Sequence, residues 1–157
     1  MTEMVDPIPE HLHTVTPRLV VSDGARAIEF YRSAFGAVEL GEHFLDPDGA
    51  VIHAELRIGD SVVMITEEST DGGSGAPGAS GAVTAIMATY WEDVDAAWAR
   101  AIIAGAEIMH PLADRFYGER GGRLRDPFGQ QWMMSKRTET LSGEEMARRA
   151  RSFFESG

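Results

Sequence analysis

Two histidines and a glutamate are the residues best placed to do chemistry. His43 and His53 flank the turn sequence "DPDG", three residues before it and four after it, and Glu55 follows His53 at the two-residue spacing that shares one face of a strand. A hairpin closing at that turn would bring the two rings near each other across the ladder. The trio His43, His53 and Glu55 could then hold a divalent metal, and His53 with Glu55 alone could move a proton without one. The same residues are also ordinary polar side chains of a hairpin, so the spacing leaves all three readings open. His11 and His13 lie in an N-terminal stretch with no structural pattern, and His110 precedes a proline. Ser61 and Ser135 lack the strand-to-helix setting of a nucleophile, and "GGSGAPG" lacks the lysine of a phosphate loop.

Composition narrows the field. The chain has no cysteine, which excludes disulfides, thiolate metal sites and a cysteine nucleophile. Its net charge of −11 disfavours gripping nucleic acid or an anionic membrane. That field would instead draw cationic compounds toward a cleft. No run of residues is long and apolar enough to span a bilayer, and the first residues carry acids and prolines where a signal peptide has basic and apolar blocks, so a cytoplasmic location is expected. With 157 residues, 43% of them apolar, one globular unit of ordinary size is expected.

The elements that must position these groups fall into two similar halves. The run "TEESTDGGSGAPGASG", rich in Gly and Ser, predicts a linker over 67–81. Before it, "TVTPRLVVSD" predicts a strand, and Ile28, Tyr31 and Phe35 mark a helix that starts at Asp23 and stops at Gly36. Strands follow over Ala37 to Leu45, Ala50 to Arg57 and Ser61 to Thr66. After the linker the order repeats. "AVTAIMATYW" predicts a strand, then Val94, Ala97, Trp98, Ala101 and Ile102 mark a helix from Asp93 to Gly105, and strands are expected near Glu107 to Pro111, Gly118 to Arg125 and Gln130 to Lys136. Asp23, Gly36 and Gly59 recur as Asp93, Gly105 and Gly129 at an offset of about 70 residues. The expected division is a flexible segment over 1–13, a first module over 14–66, the linker, a second module over 82–137 and a terminal helix over 138–157. That helix is announced by Ser142 with Glu145 three residues on, and by a stripe of Met146, Ala150, Phe153 and Phe154.

This repeat, with "TPRLVVSDGARAIEFYRSAFGA", "HAELRIGDSVVMI", "WEDVDAAWARAIIAGAE", "FYGERGGRLRDPFGQQW" and "SGEEMARRA", resembles the vicinal oxygen chelate superfamily of glyoxalases, bleomycin resistance proteins and extradiol dioxygenases, and within it the PhnB-like branch. The resemblance implies an α+β fold in which two βαβββ modules form a cupped mixed sheet around a ligand cavity, followed by a C-terminal helix, commonly as a homodimer. It also implies a divalent metal held from the first and fourth strand of each module. Matched one by one, those positions are Thr16, Met64, Ile86 and Met133, none of which suits a hard or borderline ion. The usual metal is therefore expected to be absent and no cofactor is expected.

Alternation then selects the cavity wall that the resemblance implies. Gln131, Met133 and Ser135 share one face of the last strand, Ile86, Ala88 and Tyr90 one face of the fifth, Met64 comes from the fourth, and Phe116 and Tyr117 close the mouth. Flat rings and adaptable thioethers suit a small apolar or aromatic molecule, an antibiotic-like one included, bound by sequestration. The alternative is a lyase, isomerase or dioxygenase of the same superfamily working at His43, His53 and Glu55.

Overall fold

The computed structural model describes residues 3–69, 71–78 and 81–157, so positions 70, 79 and 80 of the expected linker and the first two of the N-terminal segment lie outside the described residues. The chain divides into two compact units, Met1–Ala82 and Val83–Gly157. Each contains one βαβββ module of the α+β fold class.

In the first unit, β1 (Arg18–Val21) leads to α1 (Gly24–Phe35), and then come β2 (Val38–Glu39), β3 (Phe44–Leu45), β4 (Val51–Ile58) and β5 (Ser61–Glu67). The helix starts where Asp23 accepts from the Arg26 N–H and ends at Gly36, whose φ of 66° is a left-handed conformation that glycine adopts without strain. Its buried face, Ala27, Ile28, Tyr31, Ala34 and Phe35, covers the sheet β1-β5-β4-β2, in which β1 runs parallel to β5. The expected single strand over Ala37 to Leu45 is broken into β2 and β3. Gly41 turns the backbone with φ 70°, and the His43 ring turns back to Glu39 at 2.6 Å. A register shift in β3 then places Phe44, not His43, opposite His53.

The second unit repeats the connectivity with β6 (Met87–Tyr90), α2 (Val94–Ala104), β7 (Glu107–Arg115), β8 (Glu119–Arg125) and β9 (Gln131–Arg137), in the order β6-β9-β8-β7. Asp93 caps α2 by accepting from the Ala96 N–H, and Val94, Ala97, Trp98 and Ala101 form its buried face. β7 is longer than expected, because it starts at Glu107 but runs past Pro111 to Arg115. Pro111 has no N–H to offer a ladder, and it is tolerated because β7 is an edge strand with register shifts on both sides of His110. After β9, α3 (Gly143–Glu155) starts at Ser142, whose hydroxyl accepts from the Glu145 N–H. Among the described residues no helix is long and apolar enough to cross a membrane.

One buried carboxylate ties the β8–β9 turn together. Asp126, 4% exposed, accepts from the Phe128 and Gln130 N–H groups and, through its other oxygen, from Trp132 Nε1 at 2.9 Å. The turn before β4 uses the same chemistry at the surface, where Asp46 accepts from the Asp48 and Ala50 N–H groups. Asp126→Ala is expected to lower stability by about 3 kcal/mol, because it strands buried donors, whereas Asp46→Ala should cost under about 1 kcal/mol. Denaturant midpoints of the two variants check this ordering.

Candidate functional site

The site grows from the alternation of β9. Trp132 and Met134 are buried on the α2 side, where Trp132 lies opposite Leu124 and Met134 opposite Gly122. A Cβ on Gly122 would come within 2.6 Å of the Trp98 ring, so only glycine lets α2 press this close. Gln131, Met133 and Ser135 therefore point the other way, in register with Arg125, Arg123 and Gly121. This open face holds a cavity of about 360 Å³, lined by residues of the second unit alone. The size falls within the range of small-molecule sites.

Its walls differ in character. Phe116 and Tyr117 form the tip of the β7–β8 hairpin with their rings edge to face at 5.2 Å, and Phe153 of α3 stacks on Phe116 at 4.7 Å. Met133 adds a polarizable thioether. The rest of the lining is polar: His110, Asp114, Arg115, Arg123 and Ser135. Arg115 is spent on backbone, donating to the Gly121 and Pro111 carbonyls. Asp114 is mostly exposed and pairs with Arg120. Arg123 differs from both, since its Nε is buried and nothing among the described residues accepts from it. A buried donor without an acceptor costs about 1–3 kcal/mol.

The expected binding residues separate under this geometry. Phe116, Tyr117 and Met133 line the cavity. Gln131 is buried at the start of β9, Ile86 precedes β6 half-buried, and Ala88 is exposed beside Met133. Tyr90 is also exposed and donates its hydroxyl to Glu119 at 2.8 Å, a bond that raises the phenol above its usual pKa. Met64 belongs to the first unit, in the row Arg18, Met64, Glu55. The sequence reading missed His110, Arg115, Arg123 and Phe153 as lining residues, whereas Ser135, expected on Met133's face, does line the cavity. Alternation along β8, which puts Gly121, Arg123 and Arg125 on Met133's face, would have found Arg123.

The histidine cluster forms in the first unit, but not as the sequence suggested. His43 goes to Glu39 and not to His53, because of the break between β2 and β3. His53 and Glu55 do meet, with Nε2 and Oε1 3.7 Å apart. Arg18 donates to His53 Nδ1 at 3.0 Å, and since a guanidinium has only donors, the neutral ring carries its proton on Nε2, toward Glu55. His11, from the segment expected to be flexible, reaches the other Glu55 oxygen at 3.0 Å. Among the described residues no three His, Asp or Glu side chains converge in a geometry that could hold a metal ion.

Helix α3 is held against the aromatic wall by charge. Arg149 donates to the Phe116 carbonyl and to Glu139, and Glu145 bonds Arg148 and Arg149. The Arg148 and Arg149 guanidiniums pull the Glu145 carboxyl down from 4.5 to about 2. A carboxyl depressed in the folded state contributes its stabilisation above its ordinary value and loses it as pH falls through the folded one. Amide protection in α3 is thus expected to hold above pH 4.5 and to fall between there and about 2. Added salt should shrink the change, because the group is exposed.

Relatives of this chain share its architecture. A family model described as the Glyoxalase/Bleomycin resistance protein/Dioxygenase superfamily matches residues 11–134. An uncharacterized protein of Mycobacterium tuberculosis is 38% identical over 135 residues, 84% of this chain and 79% of that one. Among solved structures, TioX from Micromonospora sp. ML1 is 26% identical with a TM-score of 0.60, covering 78% of this chain and 96% of TioX. The genomically encoded fosfomycin resistance protein FosX of Listeria monocytogenes is 19% identical with a TM-score of 0.63, over 85% of this chain and 97% of FosX, and shares the fold alone.

Proposed function

The chain belongs to the glyoxalase/bleomycin resistance protein/dioxygenase superfamily, and from that premise we propose that it is a small-molecule binding protein that sequesters an apolar or aromatic ligand without the superfamily's usual metal. The observation that carries this reading is the cavity of about 360 Å³ whose wall is built from Phe116, Tyr117, Phe153 and Met133. Stacked rings bury flat apolar area with few rotamers to freeze, and the thioether adapts to the outline of a guest. The metal positions carried over from the superfamily support the same reading. Thr16, Met64, Ile86 and Met133 include neither an imidazole nor a carboxylate.

A second reading rests on the line Arg18, His53, Glu55. Arg18 fixes the tautomer of His53, so the ring presents a proton at Nε2 beside a carboxylate, which is the arrangement of a metal-free acid–base pair. The first reading is preferred because the cavity supplies a volume and a wall for a ligand.

Titration of the full chain with a panel of aromatic compounds, followed calorimetrically, separates the two. Stoichiometric binding without turnover is expected. Phe116→Ala should weaken it about tenfold or more by removing one face of the aromatic wall. A chelator should leave the affinity unchanged. One firmly bound equivalent of Ni, Zn, Fe or Mn per chain, or loss of binding on chelation, overturns the proposal. Turnover abolished by His53→Ala favours the acid–base pair.

A further inference from the structure

We infer that the ligand of this cavity is an aromatic or apolar molecule that carries an anionic oxygen group, a carboxylate or its equivalent, and that Arg123 is the residue that pairs with it. The inference rests on the binding role proposed above and names its chemical class. Four observations lead to it. Arg123 lines the cavity, and its buried Nε has no acceptor among the described residues. A guanidinium offers five donors in a planar fork that fits a carboxylate two bonds at a time. Of the other charged groups of the wall, Arg115 keeps its charge but spends Nε and Nη2 on the Gly121 and Pro111 carbonyls, which leaves it fewer donors for an anion, and Asp114 pairs with Arg120 and not with Arg123. Across the ladder, Arg123 pairs with Met133 on one side and His110 on the other, and both of these also line the cavity. The guanidinium therefore stands where an anion would sit while the ring of the same molecule meets Phe116 and Phe153.

The chain as a whole carries −11, which repels anions at long range. An acid selected against that field must be selected by a local contact. Arg123 is the cavity-lining cation not already spent on a partner among the described residues.

The test uses matched pairs that differ only in charge: 1-naphthoate against 1-naphthalenemethanol, and benzoate against benzyl alcohol, each titrated into the full chain. The wild type is expected to prefer each acid over its alcohol by about tenfold or more. Arg123→Met should abolish that preference, read as the ratio of acid to alcohol affinity, and Arg123→Lys should keep part of it, as a point charge without the fork. Arg123→Gln, neutral and still hydrogen-bonding, gives the same comparison if the apolar variant folds poorly. Equal affinity for acid and alcohol in the wild type, or a preference that survives in Arg123→Met, overturns the inference and leaves the cavity's binding role standing. Failure of all four compounds to bind removes both.

Discussion

The carboxylate of Asp126 satisfies two backbone donors and the Trp132 indole at once, and the geometry of the second unit follows from it. A buried charge is costly unless several donors face it, and here they do. In return the bond fixes which side of β9 the indole takes. Trp132 and Met134 then fill the α2 side, and the alternation of a strand leaves Met133 and Ser135 no choice but the open face. Because β9 lies between β6 and β8, both neighbours take their register from it, and the row that puts Arg123 opposite Met133 is set by the same turn.

The open face combines an oily wall with an arginine. Phe116, Tyr117 and Phe153 come from a hairpin tip and from α3, elements held together by Arg149, while Arg123 comes from the interior of a strand.

Both units share one connectivity, with the first strand parallel to the last, and each sets a methionine of the last strand beside the first, Met64 at Arg18 and Met133 at Ala88. Their open faces nevertheless carry different chemistry. In the first unit the neighbours of Met64 are Arg18 and Glu55, joined through His53 and His11 into a polar chain. In the second, the neighbours of Met133 are Ala88 and Arg123, and the face opens into a cavity. The backbone plan fixes which positions face outward and leaves their side chains free to differ.

The sequence by itself determined the elements, because their signals are local. Asp23 and Asp93 cap helices, Gly36 and Gly105 stop them, and the periodic apolar residues mark the faces that became buried. It also determined which residues of β9 share a face, since alternation needs no neighbour to be known. What it did not contain was register across strands. His43 and His53 looked paired about "DPDG", yet the break at Gly41 and the shift in β3 sent His43 to Glu39. The length of β7 was hidden for a similar reason, as Pro111 stops a strand in general but not one at a sheet edge. Net charge gives no help there either, because a sum over the chain carries no information about one cavity. Only the tertiary structure decided that Arg115 would be spent on carbonyls and that the Nε of Arg123 would be buried with no acceptor among the described residues, since both depend on contacts between strands that the order of residues does not specify.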